Sequence, residues 1–157
     1  MGNHVEKRVQ LTSYTCPKNP KIILLMDLEN VQTATKVNIT ASDAIRIIGF
    51  VGKYNSGILK EQEWLKSAME LIITDTPCHD AADHALTFYV GLIAAEHMNE
   101  IQRGEMGPKW VILSSDHFAA VPVEFLHKFG YRDAHSVTNV VDLKKVIPNI
   151  KIEARQL

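Results

Sequence analysis

Two short apolar runs each end on an aspartate. Lys21-Ile-Ile-Leu-Leu-Met26 leads into Asp27, and Trp110-Val-Ile-Leu-Ser-Ser115 leads into Asp116. Runs of about four to eight apolar residues, rich in Ile, Leu and Val, read as buried strands. In an open α/β sheet, ligands bind in the crevice beyond the carboxyl ends of the strands. Acids brought to that edge from distant parts of a chain point to a site for a hard cation, and through it to phosphate chemistry. Each acid also has a plainer reading, since Asp is a favoured helix cap. Glu29 and Asn30 add oxygens beside Asp27, although Asn30 can equally tie down its own loop. Ser114 and Ser115 add hydroxyls beside Asp116.

A third acid lies in Asp80-Ala-Ala-Asp83-His84, in the first turn of the longest expected helix. Acids there suit the helix dipole without any further purpose. Asp80 is the better cap, which leaves Asp83 over. The small residues Ala81 and Ala82 would let that helix end approach the sheet closely. Crowded carboxylates repel and their pKa values rise unless a cation neutralises them. Mg²⁺ or Mn²⁺ accepts one or two carboxylates and completes its shell with water and phosphate.

These acids need elements to carry them. Lys21–Met26 reads as the first strand, followed by a connection to Val37 with room for a short helical piece. Thr40–Tyr54 shows helical spacing, with Ser42 as cap, Asp43 in the first turn, and Ala44, Ile45, Ile48 and Val51 as its apolar face. Asn55-Ser56-Gly57 would stop that helix. A short charged helix over Lys60–Ser67 and a second strand over Met69–Thr74 follow. Asp80–Glu100 is the longest helix, with Ala82, Leu86, Tyr89, Val90, Ile93 and Ala94 near one face. After Arg103–Pro108, a third strand runs over Trp110–Ser115. A helix over His117–Phe129 turns Val121, Phe125 and Leu126 inward and stops at Gly130. Ala134–Val137 is a short fourth strand, and Asp142–Ile147 a last helical turn. Strands alternating with helices imply a three-layer α/β/α fold with a mainly parallel central sheet of four to five strands.

The chain has 157 residues, 46% of them hydrophobic and 22% charged, as in an ordinary globular domain. We expect an N-terminal extension over residues 1–20 and one domain over residues 21–157. No run approaches the roughly 18 apolar residues of a membrane span, and no secretory leader is visible. Cys16 and Cys78 are isolated, so a cytoplasmic setting with free thiols is expected. The formal net charge of −1 does not advertise nucleic-acid binding. A polyanion site must then be a local patch or borrow charge from bound metal. Lys53, Lys60 and Lys66, and Arg103 with Lys109, are the candidate patches. Trp64 and Trp110 read as core rather than as base-stacking platforms.

Three segments together resemble the PIN-like nuclease superfamily, in particular its NYN-type and related bacterial branches. They are Ile22-Ile-Leu-Leu-Met-Asp27-Leu-Glu-Asn30, then Ala82-Asp83-His-Ala-Leu-Thr-Phe-Tyr-Val-Gly91, then Trp110-Val-Ile-Leu-Ser114-Ser115-Asp116-His-Phe118 with a helix ending Phe129-Gly130-Tyr131. Their order covers Lys21 to about Val137. The resemblance implies a Rossmann-like fold and a Mg²⁺- or Mn²⁺-dependent endoribonuclease acting on single-stranded RNA, or a flap-like nuclease relative. It makes Asp27, Asp83 and Asp116 the metal-binding catalytic acids, with Asn30 and Ser114 in support. The chain departs from the pattern at one position. Many members carry a further acid two residues after the third-strand Asp, where this chain has Phe118. Sliding the match by one residue brings in His117 but puts Ser115 at the first position. Glu29, Asp80 and His117 are the candidate fourth contributors.

The alternative is a catalytically degenerate module that binds RNA or a protein partner. Small proteins of this superfamily serve as toxins, in defence or in RNA processing, so an antitoxin or other regulatory protein is a candidate partner. The apolar residues on several faces of Ala85–Ala95 leave a homodimer open. Other chemistries fit less well. His79-Asp80 matches the dipeptide of HD phosphohydrolases, but those folds are all-helical. His79, Asp83 and His84 lack a further ligand for zinc. Asp27 as a phosphoacceptor lacks a suitably placed Lys. Phosphate-binding Gly loops and a Gly-x-Ser-x-Gly elbow are absent.

Overall fold

The strand that carries Asp27 lies at the centre of the molecule. In the computed structural model, which describes residues 14–41 and 44–155, β1 (Ile22–Asp27) is buried along its whole length. Ile22, Leu24 and Met26 enter one core, and Ile23 and Leu25 enter a second core on the opposite face. A strand covered on both faces needs an unbroken apolar run, and that is why it reads so plainly.

Around it stand β3 (Ile45–Gly52), β4 (Glu70–Thr74), β5 (Lys109–Leu113) and β6 (Ala134–Val137), in the order β4-β3-β1-β5-β6. Every neighbouring pair is parallel. Helices α1 (Ser56–Leu59) and α2 (Gln62–Ala68) supply Ile58 and Leu65 to the first core. Helices α3 (Ala81–Glu96) and α5 (Ala120–Lys128) cover the second, through Ala82, Leu86, Val90 and Ile93 and through Leu126. The expected three-layer α/β/α arrangement is therefore present, with five strands in its sheet.

The segment expected to be a helix over Thr40–Tyr54 is instead two strands, β2 (Val37–Ala41) and β3. The physical reason lies in β3. Ile48 and Phe50 enter one core and Ile47 and Val51 the other, so its apolar run lacks the alternation of a half-buried strand. Gly49 also argues against a helix interior. A Cβ there would meet Met69 Sδ at 2.5 Å and Leu28 Cδ1 at 2.9 Å, so glycine is needed for packing. The expected cap Ser42 and first-turn Asp43 fall outside the described residues. Asn55 does not stop a helix. It starts one, its Oδ1 accepting from Ile58 N at 3.2 Å as the N-cap of α1.

Two further differences concern the periphery. A strand β7 (Ile150–Ala154), not anticipated, pairs antiparallel with β2 in a small second sheet on the first core. On α5, Val121 and Phe125 are exposed, while Pro122 and Leu126 face inward. Of the expected extension over residues 1–20, residues 1–13 lie outside the described residues, while Tyr14 is docked, its Oη donating to Ile45 O at 3.0 Å and accepting from Ile47 N at 2.9 Å. The long helix is broken at His97, with α4 (Met98–Gln102) following. A short helix α6 (Leu143–Val146) precedes β7. No helix among the described residues is long and apolar enough to cross a membrane.

Candidate active site

After β1 the chain turns into the first core through Leu28, Val31 and Ala34. After β5 it turns into the second through Ala119 and Leu126. The two adjacent strands thus send their connections to opposite faces, which opens a crevice between their carboxyl ends. Strand alternation places Asp27 and Ser114 on the same side of that crevice, the side covered by α3. Ile23 and Leu25 precede Asp27 on that face, and Trp110 and Ile112 precede Ser114.

Asp27 is fully buried. A buried carboxylate is tolerated only when its oxygens are hydrogen-bonded. Ser114 Oγ donates to its Oδ2 at 2.8 Å, the Asn30 side-chain amide donates to the same oxygen, and Asn30 N donates to Oδ1 at 3.3 Å. Asp27 is not the cap of the following 3-10 turn, Gln32–Thr35, whose N-cap is Val31. Asn30 has both readings at once: it ties its loop and holds the acid. Ser115 Oγ donates to Asn30 O at 2.8 Å and so joins the two loops across the crevice.

Asp83 sits in the first turn of α3, half-buried. Its pKa is raised from 3.8 to about 7. Burial is the largest cause, followed by the negative charges of Asp27, Asp116 and Asp80 and by a hydrogen bond to Asp27. Asp27 and Asp116 are therefore near enough to Asp83 to act on its protonation.

Asp116 is exposed, and its Oδ1 caps the 3-10 turn His117–Ala119 by accepting from Phe118 N at 3.4 Å. Its own N–H donates to Ser114 Oγ at 3.1 Å. Asp80 occupies the N-cap position of α3 without a side-chain cap bond. Its carboxylate instead accepts from His79 Nδ1 at 2.8 Å, and that bond raises the pKa of the exposed imidazole. Glu29 turns toward β3, where its Oε1 accepts from Gly52 N. A Cβ on residue 52 would lie 2.8 Å from that oxygen, so glycine is what admits the acid. His117 is exposed and stays outside the groove that the other side chains form.

That groove consists of three adjoining cavities. The central one, about 240 Å³, is bounded by Glu29, Asn30, Asp80, Asp83 and Asp116. Toward α5 it meets a cavity of about 370 Å³ lined by Asp83, Thr87, Phe118 and Val121. Toward β3 it meets one of about 550 Å³ lined by Tyr54, Asn55, Cys78 and His79. Asn55 and His79 line the groove, although the sequence offers Asn55 only as a helix stop and His79 only for HD-type or zinc chemistry. Asn55 follows the carboxyl end of β3, and recognising that strand would find it by the same rule that finds Asp27.

The donor set is made of carboxylate, amide and hydroxyl oxygens, which suits a hard cation such as Mg²⁺ or Mn²⁺. The crowding that raises Asp83 is the electrostatic condition such a cation relieves. Among the described residues, no three His, Cys, Asp or Glu side chains are arranged as a ready metal cage. Asp27 is held by Ser114 and Asn30, and Asp116 is turned to its cap. Of the expected basic patches, Arg103 bonds Glu105 and Lys109 bonds Val146 O at the start of β5, away from the acids. Lys53 lies 3.9 Å from Asp75 in an exposed pair.

No protein-family model matches the chain, no curated protein matches it, and no solved structure matches it.

Proposed function

We propose that the protein is a metal-dependent endoribonuclease that hydrolyses phosphodiester bonds in single-stranded RNA. The observation that carries this reading is the electrostatic state of Asp83, raised by Asp27, Asp116 and Asp80 at the strand-end crevice. Such clustering of perturbed acids in a cleft is typical of functional sites. The resemblance to PIN-like nucleases rests on the same residues.

In this reading Asp27, Asp83 and Asp116 would hold Mg²⁺ or Mn²⁺, which would supply charge neutralisation at the phosphate and activation of water for the attack. The chain's own residues do the rest. Ser114 and Asn30 fix the Asp27 oxygens before substrate arrives, so little reorientation is needed. Asp83 would lose its proton on joining such a site, and Asp116 would offer it Oδ2, the oxygen that does not cap the turn. Phe118 and Tyr54 flank the acids on the two sides of the groove, where aromatic faces suit unpaired bases.

A second reading is favoured by Asp116 serving as a cap and by the lack of a ready metal cage among the described residues. It is a non-catalytic module that binds RNA or a protein partner. The test is cleavage of single-stranded RNA with Mn²⁺ by wild type and Asp27→Asn. Cleavage by wild type alone supports the nuclease. Equal cleavage by both removes Asp27 from the mechanism. Tight RNA binding without cleavage by either favours the binding module.

A further inference from the structure

A further cavity, about 560 Å³, opens beside the acidic groove. Its walls come from the 3-10 turn after β1, from α1 and from the residue that follows β7. Gln32, Lys36, Asn55, Ile58, Lys60 and Arg155 are among its lining residues. Asn55 belongs to this cavity, to the acidic one and to the one between them. These three concavities therefore meet at Asn55, and the one toward α5 joins the acidic one through Asp80, Asp83 and Asp116.

The charge reverses across these concavities. Glu29, Asp80, Asp83 and Asp116 line the acidic end. At this end Lys36 and Lys60 are exposed, and neither forms an ion pair with a carboxylate among the described residues. The wall's acid, Glu61, is taken by Arg155, whose Nη2 donates to it at 2.9 Å. Arg155 also donates to Thr35 O at 3.1 Å and lies 4.0 Å over the Trp64 ring, so its guanidinium is held in place. The local balance is therefore positive in a protein whose formal net charge is −1. Asn55 commits its Oδ1 to Ile58 N, which leaves its NH₂ to donate to a ligand. The volume lies within the roughly 300–1,000 Å³ usual for small-ligand sites.

We propose that this cavity is a nucleotide subsite. It takes up one residue of a single-stranded RNA whose neighbouring phosphodiester lies in the acidic groove. Lys36 and Lys60 contact its phosphate, and Asn55 and Gln32 offer amides to its base. The inference rests on the nuclease reading for the position of the cleaved bond, but the binding it claims can be measured without cleavage.

The test uses the full chain, wild type and the Lys36→Gln/Lys60→Gln double variant, with Lys36→Arg/Lys60→Arg as the charge-conserving control. Anisotropy of a fluorescent single-stranded RNA oligomer is titrated at several salt concentrations with EDTA present. Cleavage of the same oligomer is then followed with Mn²⁺. Withdrawing the lysine contact to one phosphate of a single strand should reduce the slope of log K against log salt by roughly 0.7. The Gln variant should lose about tenfold in kcat/KM through KM, an effect on the order of 1.4 kcal/mol, and the Arg variant should behave as wild type. Equal slopes and equal KM in all three proteins would overturn the subsite while leaving the nuclease standing. Lysine-dependent binding without cleavage by wild type would remove the nuclease and keep the subsite. RNA that neither binds nor is cleaved removes both.

Discussion

Ser114 donates its hydroxyl hydrogen to Asp27 at 2.8 Å across the boundary between β1 and β5. The same oxygen accepts from the backbone N–H of Asp116 at 3.1 Å. One hydroxyl therefore connects two acids that reach the crevice from separate strands, and Asp27 is wholly buried beneath it. Removing that hydroxyl leaves a buried charge with one donor fewer. Ser114→Ala should lower stability by about 1.5–3 kcal/mol, the range for hydrogen bonds to charged groups. Urea denaturation checks this. A change below the error of the extrapolation would mean that Asn30 alone satisfies the carboxylate.

Asp83 makes stability depend on pH in a definite direction. The folded chain keeps the Asp83 proton up to about pH 7, whereas an unperturbed Asp loses it near 3.8. Between those values the folded state binds more protons than the unfolded state, so stability falls as pH rises. The contribution is complete below the lower value and lost above the upper one. Asp83→Asn imitates the protonated form and removes the repulsion at high pH. The variant should melt with wild type below about pH 4 and increasingly above it as pH rises toward about 7, solvent screening holding the gain to roughly 2–4 °C. Parallel melting curves across that range would show that Asp83 is ionised throughout.

Glu29 reaches Gly52 only because residue 52 has no side chain. Gly52→Ala would set a methyl 2.8 Å from the Glu29 oxygen and expel it. Because the displaced atom is the end of a flexible side chain, the cost should be about that of the lost hydrogen bond, roughly 0.5–1.5 kcal/mol. If Glu29 helps hold a cation, the variant should also need more Mn²⁺ for half-maximal RNA cleavage. An unchanged Mn²⁺ requirement with the expected loss of stability would confine Glu29 to bracing the β1 loop against β3.

What is legible in the sequence follows burial. The strands ending near Asp27 and Asp116 stand out because central strands need continuous apolar runs, and Asp83 because it is a spare acid behind a better-placed neighbour. The same property hides β3. Its run enters two cores at once, and a window of that kind fits a helix face equally well. With β3 hidden, Asn55 is hidden too, although it lines the groove just beyond the end of that strand. The small sheet is obscured for another reason. In β7, exposed Lys151 and Glu153 alternate with more buried Ile150 and Ile152, a short signal whose partner β2 runs into the stretch with helical spacing. Arg155 and its cavity become visible only once that pairing is known.

Asp116 has two jobs to separate, capping and binding, and a single substitution divides them. Asn is about as good an N-cap as Asp, because its side-chain oxygen accepts the same backbone bond. It lacks the charge that a cation would use. Asp116→Asn should therefore keep the bond from Phe118 N and change stability little, while Asp116→Ala should lose about 0.5–2 kcal/mol with the cap. If Asp116 is a metal ligand, both variants should lose Mn²⁺-dependent cleavage. Mn²⁺ should then raise the melting temperature of wild type and of neither variant. If Asp116 only caps the turn His117–Ala119, Asp116→Asn should cleave and melt as wild type does. Melting curves with and without Mn²⁺ decide between the two, because they report binding even in a chain that does not cleave RNA.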